Sequence, residues 1–388
     1  MADIKLATKQ DIEEVKKLIN SFHPVTYGVS IDLTNSNPET AVTYTDDAVG
    51  MVAGSADWYK MRIFKDIKPC LFKNGSVVGY LNPNNFAQFE DGTKADITSG
   101  NSGDVMIEIP KIGYKISKSG TTLTVQITDA PNKIGFSYKA HTRVNEGDRD
   151  KLYIGAFLGS NESQLRSVAH SIPMGNKSLN DFRRIAQLNG EGYGILSLYP
   201  MTLLQSLYLI MYKNLNSQAT LGMGYVGDAE CLIYQKETGA TITNGMDYRS
   251  NSDMEQMKFL GIEDVWGNLQ QWIDGCILTT ACDLLIATEG TENISSYSNK
   301  GKVDFCYGIL KEPQGDNVFG FIPKICTGSS STYFSDYAVI SEPEEGLEYV
   351  PSFGGNYWMG ENAGIFSFQF EYSPEGSSAD IGARLMYL

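Results

Sequence analysis

From Val25 to about residue 130 the chain is a succession of short apolar runs, each closed by turn-forming residues. VGMV, SVVGYL, DVMIEI, YKIS and TLTVQIT are separated by NSNP, FKNGS, NPNN, EDGT and KSGTT. Runs this short cannot build helices of useful length, and the Gly, Asn, Asp and Pro clusters between them favour tight reversals. The spacing therefore predicts a β-rich region. TLTVQIT alternates polar and apolar residues, as a strand with one buried face does. Near the other end, FSFQFEY repeats the period: Phe366, Phe368 and Phe370 alternate with Ser367, Gln369 and Glu371. Because successive strand residues face opposite ways, the phenylalanines are expected in the core and the intervening residues at the surface.

Helical signals bracket and interrupt this pattern. Over residues 1–24, Thr8 is placed to cap a helix whose first turn carries Asp11, Glu13 and Glu14, and Ile12, Val15, Ile19 and Phe22 recur at a and d spacing before Pro24. Ser178 precedes LNDFRRIAQLNG, with Leu179, Phe182 and Ala186 on one face and Gly190 beyond the end. The stretch YGILSLYPMTLLQSLYLIMY, residues 193–212, contains Pro200, Gln205 and two serines. It reads as a buried helix rather than a membrane span. LQQWI and VFGFI read as further strands. The expected fold class is α+β, a β-rich N-terminal region followed by a unit with two central helices and long loops. The expected divisions are 1–24, a helix suited to oligomerisation, 25–130, an attachment or assembly region, and 131–388, a ligand-binding domain.

Composition narrows the function classes. With 31 Lys and Arg against 46 Asp and Glu, the net charge of −15 disfavours nucleic acid and anionic membrane as partners. The opening MADIKLATKQDIEEVKKL lacks the apolar core of a signal peptide, so no export signal is expected. The six cysteines, at 70, 231, 276, 282, 306 and 326, show no CxxC spacing, and the three histidines stand apart. Free, mostly buried thiols are expected, with no metal centre and no cofactor. No GxSxG, HExxH or phosphate-binding loop occurs, so no catalytic residue is assigned. Two carboxylates brought together by folding would suffice for a glycosidase, and that class stays open.

The segment FGGNYWMGENAGIFSFQFEY, residues 353–372, holds seven aromatic residues and no Lys or Arg. Tyr and Trp among Asn, Ser and Gly is the composition of recognition surfaces, where large rings give contact area and small polar groups adapt their hydrogen bonds. After Lys324 there are nine acidic residues and one basic residue, Arg384, which favours cationic or neutral ligands. In GIEDVWGNLQQWIDG, residues 261–275, Gly267 and Asn268 suit a turn with positive φ, and Trp266 and Trp272 suit core anchors. Asp264, Asn268 and Asp274 carry oxygens a calcium ion would accept, but without an EF-hand register turn and core roles fit better.

VWGNLQQWIDG resembles the GN-x-x-E-W-x-D block of the formylglycine-generating-enzyme branch of the C-type lectin fold. In that branch a GG segment and a closing GFR follow, here Gly354-Gly355 and Gly382-Ala383-Arg384. The chain also resembles phage tail proteins that use this fold to bind host receptors, including variable proteins of diversity-generating retroelements. The resemblance runs through residues 31–51, 79–115, 140–159, the WGN block and AGIFSFQFEYSPEGSSADIGARL. It implies a C-type-lectin-like domain on a phage or prophage tail in the virion, a homotrimer, and a bacterial surface receptor, protein or glycan, as partner beside other tail proteins. Carried onto this chain, the ligand contacts would be Asn356, Tyr357, Trp358, Met359, Glu361, Asn362, Ser367, Gln369, Glu371, Tyr372, Glu375, Ser377, Ser378 and Asp380. Gly354, Gly355, Phe366, Phe368, Phe370, Ile381, Gly382 and Arg384 would be the framework. The enzyme branch's catalytic thiols have no counterpart, since no Cys follows Cys326. Trp358, Met359, Glu361, Gln369, Glu371 and Glu375 also lie outside what mutagenised AAY codons encode. The alternatives are a carbohydrate-cleaving tail enzyme and a purely structural tail or baseplate protein.

Overall fold

The computed structural model describes Lys9, residues 23–230 and residues 232–388. The helix expected over 1–24 lies, but for Lys9 and its last two residues, outside the described residues. Elsewhere the fold is mixed, with strand exceeding helix. A four-stranded antiparallel sheet has the order Val42–Asp46, Thr26–Asp32, Thr122–Thr128, Gly113–Ser119. TLTVQIT pairs along its full length with both neighbours, and Leu123, Val125 and Ile127 are buried as its alternation requires. A seven-stranded sheet runs Tyr193–Ile195, Leu385–Tyr387, Lys151–Gly155, Asp104–Pro110, Lys68–Lys73, Ser76–Asn82, Asn85–Phe89. It draws strands from both sides of residue 130. A six-stranded sheet carries the C-terminal segment, in the order Cys306–Ile309, Tyr337–Ile340, Phe368–Tyr372, Val350–Phe353, Gln270–Trp272, Ile381–Gly382.

Both central helices form. Ser178 caps the helix Leu179–Gln187 in a capping box with Asp181, which satisfies backbone N–H groups at its start. The helix Leu198–Tyr212 is buried on every face, as one apolar all round must be, and Pro200 sits in its first turn where no N–H is needed. It packs against Thr122–Thr128 and Thr26–Asp32. On its other side Tyr208 meets Phe366 at 6.0 Å, and the Gln205 Nε2 donates to the Ile365 carbonyl at 2.8 Å. The helix thus joins the N-terminal sheet to the C-terminal segment. Among the described residues no helix is long and apolar enough to cross a membrane.

Two expected strands are turns instead. In VGMV, the Met51 N–H closes onto the Ala48 carbonyl, Gly50 has φ of 93°, and Val49 and Val52 are exposed. In VFGFI, the Asp316 carboxylate accepts the N–H groups of Val318 and Phe319 at 2.7 and 2.8 Å, folding the chain before Gly320. A local side-chain acceptor outcompetes strand pairing there. Trp266 and Trp272 are fully buried anchors, and Gly267 and Asn268 have φ of 79° and 61°. Asp264 and Asn268 hydrogen-bond to each other at 2.8 Å, while Asp274 pairs with Arg183. Cys70, Cys276, Cys282, Cys306 and Cys326 are free.

Candidate functional site: a tryptophan-edged pocket on the C-terminal sheet

The segment Phe368–Tyr372 lies between Val350–Phe353, antiparallel, and Tyr337–Ile340, parallel. Phe368 and Phe370 point into the core with their rings 5.4 Å apart. The alternation does not extend back to Phe366. Asp336 accepts the Phe366 N–H at 2.8 Å and turns the chain, so the strand begins at Phe368. Phe366 is still buried, against Phe321 at 5.3 Å and Phe334 at 4.9 Å. Ser367, expected at the surface, is fully buried and presents no atom there.

Before the strand, Gly354 and Gly355 carry φ of 92° and 74°. A Cβ on Gly354 would stand 2.8 Å from the Val265 carbonyl oxygen, and one on Gly355 would stand 2.7 Å from Ala363, so both positions need glycine. They lead into a turn in which adjacent side chains separate. Tyr357 is buried, its N–H donating to the Asn268 carbonyl at 3.0 Å and its carbonyl accepting from Asp228 at 2.7 Å. Trp358 is 49% exposed. Its indole Nε1 donates to the Asp380 carboxylate at 3.1 Å, and the Asn356 Nδ2 donates to the same oxygen at 2.7 Å. Ser378 donates its hydroxyl to the other oxygen of Asp380. The ring is therefore solvent-facing but fixed.

These groups enclose a pocket of about 340 Å³. Eight of the fourteen expected contacts line it: Asn356, Trp358, Met359, Asn362, Gln369, Glu371, Tyr372 and Asp380. Asn356, Met359 and Gln369 are nearly buried and reach it from beneath. Glu361 is exposed beyond the rim, and Ser377 is exposed on the following loop. Glu375 accepts from the Asn180 Nδ2 at 2.5 Å and borders a different cleft, with Arg183 and Glu348.

Three lining residues escaped sequence reasoning: Gln270, Tyr307 and Tyr337. Tyr307 and Tyr337 meet edge to face at 5.4 Å. They come from Cys306–Ile309 and Tyr337–Ile340, strands whose neighbours no local pattern specifies. A second omission lies beside the pocket. The Asp228 carboxylate accepts the N–H groups of Leu232, Ile233 and Tyr234 at 2.9, 2.9 and 2.8 Å, holding up an apolar knuckle. These three side chains are exposed, and Tyr234 stands edge-on to Tyr357 at 5.9 Å.

No family model and no curated protein matches the chain. Among solved structures it is similar to the Major Tropism Determinant P3c and M1 variants, at 11% and 13% identity, each over 94% of this chain and 72% of theirs, with TM-scores of 0.30 and 0.31. It is also similar to the U1 variant, at 11% identity over 89% of this chain and 91% of that one, with a TM-score of 0.28. At such scores the superposition decides neither fold nor activity, and the chemistry of the site stands on its own residues.

That chemistry is one-sided. No Lys, Arg or His lines the pocket. Desolvation raises the Glu371 carboxyl above its ordinary pKa. Desolvation, followed by the charges of Asp380 and Glu371, raises the Tyr372 phenol. Away from the lining, Arg384 ties the six-stranded sheet to the seven-stranded one. It donates from Nε to the Gln271 side chain at 2.8 Å and from its terminal nitrogens to the carbonyls of Gly155, Glu263 and Asp264 at 3.0, 2.8 and 2.9 Å. Its donors are all turned inward.

Proposed function

We propose that the chain is a phage or prophage tail receptor-binding protein, a host adhesin that acts by binding alone through the Trp358 pocket. The observation that carries this reading is the pocket itself. Four aromatic rings and four amide side chains converge on one surface hollow, on strands and glycine turns that fix their geometry. The exposed knuckle Leu232–Tyr234 enlarges the apolar contact area beside it. The resemblance carried by VWGNLQQWIDG, Gly354-Gly355 and the Gly382–Arg384 ending supports a C-type-lectin-like framework, and the tail location and homotrimer follow from the same resemblance. One such pocket gives modest affinity; three per trimer, and many per virion, supply avidity.

Binding is favoured over turnover because Asp380 already accepts from Asn356, Trp358 and Ser378. It has no free role as acid or base to partner Glu371. The test is adsorption of the purified protein to host cells. Trp358→Ala and Tyr372→Ala are each expected to weaken adsorption about tenfold or more, the loss of one anchoring ring, with the thermal midpoint little changed. If both variants fold and adsorb like the wild type, the pocket is not the receptor site. New reducing ends in a host glycan after incubation would replace the adhesin reading with a glycosidase.

A further inference from the structure

We infer that the Trp358 pocket is a socket for a protonated nitrogen, the guanidinium or ammonium group of an arginine or lysine side chain on a receptor protein. This rests on the receptor-binding reading above and names the ligand chemistry of that site.

Three independent features of the lining point the same way. The first is charge. Glu371 and Asp380 are present and no cation is, while Arg384, the one basic residue after Lys324, is buried and spends its donors on Gln271 and backbone carbonyls. An anion entering the pocket would meet two carboxylates and no cation.

The second is the rings. Tyr307, Tyr337, Trp358 and Tyr372 present aromatic faces and edges around the hollow. Elsewhere in the protein lysines lie over tyrosine rings, as Lys139 does over Tyr199 and Lys236 over Tyr225. Among the described residues none lies over these four. Negative ring faces beside carboxylates are the arrangement that attracts a cation, and most of all the flat guanidinium, which stacks and hydrogen-bonds together.

The third is the balance of donors and acceptors. The Gln270 Nε2 is engaged by Ser352 at 2.8 Å, the Gln369 Nε2 lies 3.7 Å from the Met359 sulfur, and the Asn356 Nδ2 is held by Asp380. With one N–H of each amide engaged inward, Gln270 and Gln369 keep carbonyl oxygens free to accept. Glu371 makes no ion pair and accepts no hydrogen bond among the described residues. The Glu371 carboxylate and these amide oxygens are acceptors that a ligand rich in N–H would satisfy. A neutral sugar, donor and acceptor in equal measure, fits them less well, and a quaternary ammonium leaves them unmet.

The test uses the full chain with its four tryptophans labelled with nitrogen-15, since Trp58, Trp266 and Trp272 are buried and Trp358 alone reports from the surface. Nα-acetyl-arginine amide and Nα-acetyl-lysine amide are expected to shift the Trp358 indole signal saturably and to leave the other three in place. Glu371→Gln is expected to weaken both about tenfold, the loss of one charged contact. Choline, a cation without N–H, and N-acetylglucosamine, neutral, are expected to bind at least about tenfold more weakly than the arginine probe. Equal binding by choline, or an unaffected Glu371→Gln, overturns the socket. Saturation by the sugar alone overturns the cation and leaves the adhesin reading intact. The same holds if no probe shifts Trp358 while Trp358→Ala still abolishes adsorption. Only normal adsorption by Trp358→Ala and Tyr372→Ala removes the receptor site as well.

Discussion

Tyr357 and Trp358 are neighbours in sequence and do different work. Tyr357 is sealed under Tyr234 and hydrogen-bonded through its backbone on both sides, so it holds the turn, while Trp358 faces solvent at the edge of the pocket. Composition alone cannot separate two such rings; the partner loop that covers one of them is over a hundred residues away in sequence. His141 shows the same dependence on surroundings. It is fully buried, and its Nε2 accepts the Ile112 N–H at 3.2 Å, which requires the neutral ring. Burial pushes its pKa down to about 3, with Lys111 adding to the effect and Asp148 opposing it. The unfolded chain titrates near 6.5, so this contribution to stability is complete above that value and is lost as pH falls toward the folded pKa. Between neutrality and pH 5 the loss is about 2 kcal/mol. Asp104 works in the opposite sense. Burial lifts it to about 6 despite Arg166 at 3.2 Å, so its contribution is present at low pH and fades as pH rises through that value. Comparing urea midpoints of wild type and His141→Gln at pH 7 and pH 5 isolates the histidine. The variant keeps an acceptor for Ile112 and is expected to lose less stability on acidification by about that amount. Identical pH slopes would show that the ring titrates normally.

At the scale of elements, legibility followed how local the cause was. The helix at Ser178 was readable because its stop and start signals lie within a dozen residues, and its cap forms as the spacing implied: the Ser178 hydroxyl accepts the Asp181 N–H at 3.1 Å. Ser178→Ala is expected to cost about 1 kcal/mol in denaturant unfolding, from an uncapped N–H. Cation-probe shifts at Trp358 should be unchanged, because this helix contributes nothing to the pocket lining. A larger loss, or a disturbed pocket, would mean the helix end supports more than itself. The strands TLTVQIT and DVMIEI were equally legible, each carrying its own alternation or apolar run. The terminal segment was legible in its three core phenylalanines, Phe366, Phe368 and Phe370, and misread at Ser367, which is buried where Asp336, thirty residues earlier, bends the chain. Tyr307, Tyr337 and Gln270 were invisible for a related reason. They join the site through a parallel pairing of Tyr337–Ile340 with Phe368–Tyr372 and through the partners of Val350–Phe353, contacts that leave no periodic trace in either segment.

At the scale of the whole molecule, the chain was read as separate stretches, 25–130 for attachment and 131–388 for binding. The seven-stranded sheet interleaves them. Asp104–Pro110 pairs on one side with Lys68–Lys73 and on the other with Lys151–Gly155, while Leu385–Tyr387 fills the place between Lys151–Gly155 and Tyr193–Ile195. One hydrophobic core runs through residues from both stretches, joining Ile107 and Val125 to Leu207, Phe259 and Phe368. A fragment of residues 131–388 would therefore leave Lys151–Gly155 as a bare apolar edge and strip one whole side from the helix Leu198–Tyr212. Unpaired edges of this kind recruit other chains. Expressed alone, that fragment is expected to aggregate or to melt without a cooperative transition, read by size-exclusion chromatography and circular dichroism, while the full chain melts in one step. A monomeric fragment with a sharp transition near that of the full chain would show that the binding half is an autonomous domain. The Trp358 pocket would then owe its geometry to the C-terminal sheet alone. The aggregating outcome gives the N-terminal strands a part in shaping the pocket, because Arg384 links Gln271, the neighbour of the lining residue Gln270, to the Gly155 carbonyl, and Gly155 is held by its pairing with Met106.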